Sequence, residues 1–295
     1  MGRSRALSII EGTGNGNLPR GEIWVAPAVL EGRGLPNSVA GVADLAAMLG
    51  ADLCFLSCSG PQAVSMEVEA QREAVSLVHG RDLACGVVVD GPWQRLAAYH
   101  GLIKLMARVG GRLGETEREV SSRAALVGEE VRAWCEAGAD LVLLTDDIAY
   151  NRGLYFSPAL FTRLLLPHYR QVLRTACEHG VPTGFHSDGD LAILLPTLID
   201  AGFSFFSLEP EAMNLSEVRR LHGDGFSLIS GIRAEWLSNA GGISTEAINL
   251  PREVSSLRHI GRLILASSCG LYEPSSAAFL EKVYRAADSL SEEGP

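Results

Sequence analysis

Eight short apolar runs punctuate the chain, separated by stretches with helical spacing, and this alternation limits the fold more than any other feature. The runs are 22–28 (EIWVAPA), 51–57 (ADLCFLS), 84–90 (ACGVVVD), 139–145 (ADLVLLT), 181–186 (VPTGFH), 203–208 (FSFFSL), 226–231 (FSLISG) and 262–268 (RLILASS). Each is bounded by Gly, Pro or Asp and rich in Val, Ile, Leu or Phe. Such runs suit strands of a parallel sheet, which are covered on both faces. Between them, Val42 to Leu49 has apolar residues at helical spacing, and Pro61 to Val78 has a charged face in Glu67, Glu69, Arg72 and Glu73. Pro158 to His179 reads as one long helix, with Ser157 as N-cap and Gly180 as its stop. The gap from Gly91 to Gly138 has room for two helices, an excursion over the barrel top with Gly110-Gly111 as its turn. The pattern predicts a single α/β domain, a (β/α)8 TIM-type barrel over 21–290 behind a flexible N-terminal segment over 1–20. A doubly wound sheet is the alternative.

Composition excludes several classes of function. At 47% hydrophobic residues and 20% charged, the chain can bury a large core and is not disordered. Its 25 Lys+Arg against 35 Asp+Glu give a formal charge of −10, which argues against nucleic acid as a partner. Without a run of about 18 apolar residues, no membrane span is expected. Six scattered cysteines without a CxxC pair read as reduced thiols of a cytoplasmic protein, and they rule out a zinc ribbon.

In a barrel, chemistry collects just past the C-terminal ends of the strands. The residues there are Ser57-Cys58, Asp90 to Trp93, Asp146-Asp147, His186 to Asp188, Glu209, Arg233 and Cys269. Imidazole, carboxylate and thiolate all ligate zinc, so His186, Asp188, Glu209 and Cys269 form a candidate metal set. A zinc ion there would lower the pKa of a bound thiol. The plainer alternative is that His186 and Asp188 cap a turn and Cys269 is a small buried hydrophobe. Asp146 and Asp147 are candidates to hold an amine or a cation, or to orient His186. Alternatively, one of them caps the next turn.

From about Cys85 to Leu280 the chain resembles the uroporphyrinogen decarboxylase superfamily. Gly91-Pro92-Trp93 with Tyr99 resembles its G-x-P-W-T-x-x-x-Y stretch. Ala137 to Asp140 followed by Asp146-Asp147 resembles its A-G-A-D…D segment, and SPALFTRLLLPHYRQVL over 157–173 its S-P-x-x-F…P-x-Y helix. His186-Ser187-Asp188-Gly189 resembles its H-S-D-G or H-x-C-G loop. Ser230-Gly231-Ile232 sits where the family has G-N-I-D, and Cys269-Gly270 where it has G-H-G or G-C-G.

The superfamily holds decarboxylases and corrinoid-linked methyltransferases. Decarboxylases anchor their substrate through two arginines near the first strand. Here Trp24 and Pro27 occupy the first arginine's surroundings, and only Arg33 resembles the second. Their catalytic aspartate corresponds to Cys58 and their late histidine to Cys269, while Tyr99 is retained. Without the arginine pair, a porphyrinogen with many carboxylates loses its main anchor. The methyltransferase branch is the better match, because His186, Glu209 and Cys269 match its zinc set, with Asp188 replacing a cysteine. The resemblance thus implies a methyltransferase moving a methyl group between methylcobalamin or a corrinoid protein and a small acceptor such as a thiol or tetrahydrofolate. Zinc would sit on His186, Asp188, Glu209 and Cys269. Tyr99, Asp146 and Asp147 would be catalytic, with Trp93, Arg33 and Arg233 binding substrate. The corrinoid would come on a partner, since no D-x-H-x-x-G cobalamin motif is present, and a homodimer is compatible with the family. A metal-free decarboxylase-like lyase and a non-enzymatic ligand-binding barrel are the rival readings.

Overall fold

The structure, a computed structural model, describes residues 2–14, 18–237, 248–267 and 270–292. The strands are β1 (Gly21–Glu22), β2 (Leu53–Ser57), β3 (Ala84–Asp90), β4 (Leu141–Thr145), β5 (Ala149–Tyr150), β6 (Gly153–Leu154), β7 (Thr183–His186), β8 (Phe205–Ser207), β9 (Ser227–Ile232) and β10 (Leu263–Ser267). All except β5 and β6 join one sheet in the order β1-β2-β3-β4-β7-β8-β9-β10, with every pairing parallel. A parallel bridge between Arg20 and Leu265 brings its two ends together into a (β/α)8 barrel. The expected barrel is therefore found, and the doubly wound alternative is not.

The helices are α1 (Gly2–Glu11), α2 (Pro27–Glu31), α3 (Val39–Met48), α4 (Val68–His79), α5 (Pro92–His100), α6 (Leu102–Gly111), α7 (Leu113–Ala137), α8 (Pro158–Leu164), α9 (Leu166–Glu178), α10 (Leu195–Ala201), α11 (Leu215–His222), α12 (Ala234–Leu237), α13 (Leu250–Arg258) and α14 (Pro274–Glu292). No described helix is long and apolar enough to cross a membrane.

Side chains alternate across each strand, so every run divides into two sets. Leu53, Phe55, Ala84, Val88, Leu141, Leu143, Phe205, Ile229, Ile264 and Ala266 fill the barrel interior. Cys54, Leu56, Val87, Val89, Val142, Leu144, Phe185, Phe206 and Leu265 face the helices. Both sets are apolar because both faces are covered, which is why the runs show no polar alternation.

Three expectations are corrected. Residues 2–11 are not a loose leader. Ala6, Ile9 and Ile10, at i, i+3 and i+4, are buried against the interior cluster and plug the barrel at the end where the strands begin. Arg3 pairs with Asp140 at 2.6 Å, Arg5 pairs with Asp52, and the Ser227 hydroxyl donates to the Ile9 carbonyl at 2.8 Å. The Gly-rich stretch that follows gave the segment its loose appearance. Second, Pro158 to His179 is two helices, because Pro167 cannot supply the amide that would continue the first. Third, the Gly91 to Gly138 gap holds three helices, and α5 and α6 fold back onto α7 in the outer layer.

The plug gives a direct test. Ile9→Ala should lower unfolding stability by about 2–5 kcal/mol, the usual cost of a truncated core isoleucine. Denaturant titration measures it, and an unchanged midpoint would mean that α1 is not seated in the barrel.

Candidate active site

Four adjacent strands end in a belt of polar residues. Asp90 of β3 pairs in register with Thr145 of β4, Thr145 with His186 of β7, and His186 with Ser207 of β8. Two residues further along the same inward face stand Asp147, Asp188 and Glu209. The barrel mouth on this side is therefore acidic, with one imidazole at its centre. Beside β1, a narrow cleft is lined by Ile23, Trp24, Phe55 and Val88 together with the polar Glu22, Ser57, Ser59 and Gln62.

His186 is held from below. Its Nδ1 lies 3.2 Å from the Ser207 carbonyl and 3.1 Å from the Ser207 hydroxyl. With Nδ1 donating to that carbonyl, Nε2 faces outward toward Asp188 Oδ1 at 3.4 Å, to which it donates when the imidazole is protonated; when it is neutral, its lone pair is open to a cation. The Asp188 amide donates to Asp147 Oδ1 at 3.1 Å, and the Gly189 amide to Glu209 Oε2 at 2.7 Å. Ser187 fixes the turn, accepting from the Ile148 amide at 3.0 Å and donating to the Asp188 carbonyl at 2.8 Å. Gly189 is required at the end of this loop. Its φ is +85°, and a Cβ there would come within 2.4 Å of the Tyr150 backbone in the β5–β6 hairpin.

Ligand atoms of Asp147, His186 and Asp188 all lie within 4.8 Å of one another. Burial by itself would lower the His186 pKa, but the hydrogen bond and charge of Asp188, with Asp147 behind it, outweigh burial and raise it. Hydrogen bonding to His186 lowers Asp188. Burial raises Asp147, and the neighbouring Asp188 charge adds to this; burial also raises Glu209. Crowded carboxylates around one imidazole are stabilised by a positive charge at their centre, either a proton on His186 or a metal cation. Two carboxylates and an imidazole nitrogen suit a divalent ion such as zinc.

Asp146 does different work from its neighbour. It points outward and is fully buried. Its carboxylate accepts from the Trp93 amide at 3.2 Å, from the Gln94 amide, and from the Tyr169 hydroxyl at 2.6 Å. It thus caps the N-terminus of α5, satisfying amides the helix cannot. Gly91 is needed for this, because a Cβ there would stand 2.3 Å from the Asp146 carboxyl carbon. Glu22 is a second buried carboxylate, accepting from the Ser267 amide and hydroxyl and from the Tyr284 hydroxyl at 2.9 Å. Desolvation pushes both carboxyls up to about 7, against the pull of these hydrogen bonds.

The structure thus brings together Asp147, His186 and Asp188, with Glu209 joined through Gly189, and corrects several other sequence assignments. Tyr99 is not at the mouth. It is 73% exposed on α5, against His100 and Arg123. Asp146 is turned away from the mouth and engaged by α5 and Tyr169. Trp93 is fully buried, edge-on to Phe156, in the outer layer. Arg33 is held by Glu281 at 3.4 Å and Arg233 by Glu235 at 2.7 Å. Arg233 also lines a cleft with Glu211, Met213 and Trp236. Cys269 lies outside the described residues. Sequence reasoning missed Thr145 and Ser207, although counting back two residues from Asp147 and Glu209 finds both.

The buried carboxylates have a pH signature. With folded pKa values near 7 and ordinary unfolded values near 4, the folded state holds more protons between those limits. Their contribution therefore favours the fold at low pH and is lost as pH rises toward 7. Asp146→Asn and Glu22→Gln should each make the melting temperature fall less from pH 5 to 8 than in the parent, and unaltered pH profiles would contradict this. Gly91→Ala should cost about 1–3 kcal/mol through overpacking against Asp146, read by thermal unfolding.

A model of the family described as uroporphyrinogen decarboxylase (URO-D) matches residues 61–287. No curated protein matches the sequence. Among solved structures, a methyltransferase from Methanosarcina mazei superposes with a TM-score of 0.75 at 16% identity, over 98% of this chain and 99% of that one. A B12-independent methionine synthase from Shewanella superposes at 0.62 and 12% identity, over 94% and 98%. A D-psicose 3-epimerase from Clostridium cellulolyticum superposes at 0.54 and 11% identity, over 94% and 99%. At these identities the likeness is one of fold, and it is the family match, over most of the chain and across the whole acidic rim, that makes this chain a member of the uroporphyrinogen decarboxylase (URO-D) family.

Proposed function

We propose that the chain is a methyltransferase that passes a methyl group between a corrinoid, carried by a partner protein or free as methylcobalamin, and a small acceptor such as a thiol or tetrahydrofolate. The observation that carries this reading is the Asp147–His186–Asp188 cluster with the His186 Nδ1 tied to Ser207. These three residues would hold a zinc ion, with Glu209 and Cys269 as further donors. When bound, zinc lowers the pKa of a coordinated thiol and makes a thiolate available near neutral pH.

The chain's own residues supply the rest. Transfer breaks the acceptor's S–H or N–H bond and the cobalt–carbon bond, leaves the latter's electron pair on cobalt, and forms the new bond to the methyl carbon. The released proton needs a base; with one oxygen of Asp188 on the metal, its other oxygen would be free to take it. Asp188 is 60% exposed at the rim, whereas the His186 side chain below it is 14% exposed, so a proton taken at Asp188 can pass to solvent. With Asp188 where the family's methyltransferases resemble a thiolate donor, the metal is less electron-rich, which favours a harder acceptor.

A decarboxylase-like lyase is less well supported. Arg33 is engaged by Glu281, and Tyr99 faces solvent away from the mouth. The test is transfer from methylcobalamin to a panel of thiols and tetrahydrofolate, followed by the change in corrin absorbance. Turnover should appear with at least one acceptor and fall about a hundredfold or more in His186→Ala and Asp147→Ala. Release of CO2 from uroporphyrinogen, with no methyl transfer, would overturn the proposal.

A further inference from the structure

The opposite end of the barrel holds a cavity of about 660 Å3, where β7 and β8 begin. That volume lies in the range of small-molecule sites. Ile10, Leu173, Val181, Pro182 and Ala201 give it apolar walls. Along α9, Arg170, Arg174 and Cys177 follow at i, i+4 and i+7, so one stripe of the helix borders the cavity beside the buried face of Tyr169, Val172, Leu173 and Ala176. Neither arginine side chain has an ion-pair or hydrogen-bond partner among the described residues, although the chain carries ten more acidic groups than basic ones.

A second observation comes from the strand. Thr183, the first residue of β7, lines the cavity and is 4% exposed. Its hydroxyl has no hydrogen-bond partner. Phe185, two residues on, faces the helices, so alternation turns Thr183 the same way, toward α9. That hydroxyl is sealed from solvent, so Thr183 offers the cleft no polar side-chain atom and serves as part of its wall.

From these features we infer that this cavity binds a small carboxylate with an apolar body, its acid group on Arg170 and Arg174 and its body against Ile10, Leu173 and Pro182. Two guanidinium groups without acidic partners match a carboxylate's two oxygens. The site is separate from the acidic mouth, which repels anions and lies at the far end of the same strand, three residues from Thr183. Ile10 belongs to the helix that plugs the barrel, so a ligand here also contacts the plug.

Octanoate is the probe, with octanol and acetate as controls lacking the charge and the body, and isothermal titration calorimetry of the whole chain as the readout. Octanoate should bind saturably at one site, with both controls at least about tenfold weaker. Arg170→Gln with Arg174→Gln should weaken octanoate about tenfold or more without moving the melting temperature, since both side chains are exposed. Absence of binding, octanol binding as tightly as octanoate, or an affinity unchanged in the arginine pair, overturns the inference. Methyl transfer is not part of the readout, so neither proposal depends on the other's outcome.

Discussion

The buried carboxylate of Asp146 is the contact on which the candidate site depends. It lies just past the end of β4 and reaches outward to the first amides of α5 and to the hydroxyl of Tyr169 on α9. One side chain thereby ties the strand end to two helices of the outer layer. Because successive residues of an extended chain point to opposite faces, anchoring Asp146 outward turns Asp147 inward. The adjacent pair is thus divided between the outer layer and the mouth, and Gly91 leaves room for that division.

The rest of the site follows similar physics. In parallel strands, register aligns the last inward residues, so Asp90, Thr145, His186 and Ser207 form a continuous belt. The loop of His186 to Gly189 then folds over it, with each of its residues fixed by a hydrogen bond or a close approach. Three carboxylates are held around one imidazole at a cost in mutual repulsion that a bound cation would relieve. Placed in water, the same groups would separate; here the backbone holds them together.

Much of the fold could be read from the sequence, because burial on both faces makes a strand apolar without a break, as in 84–90 and 139–145. Where that signal is diluted, the reading fails. The run 22–28 contains Pro27, which starts α2, and leaves only Gly21 and Glu22 in β1. The plug helix was hidden because its three buried residues precede a glycine-rich stretch. Within the site, His186, Asp188 and Glu209 were legible from their place after strands. The split between Asp146 and Asp147 was not, since nothing in two adjacent carboxylates says which faces in. Tyr99 was chosen by resemblance, and helical register turns it to solvent.

The proposed function rests on the acidic, imidazole-centred mouth holding a cation. The most direct test is zinc titration by calorimetry of chain stripped of metal, compared with His186→Ala. One tight site per chain, weakened about a hundredfold or more in the variant, is the result the account predicts. No zinc uptake, or uptake equally tight without the imidazole, would contradict it.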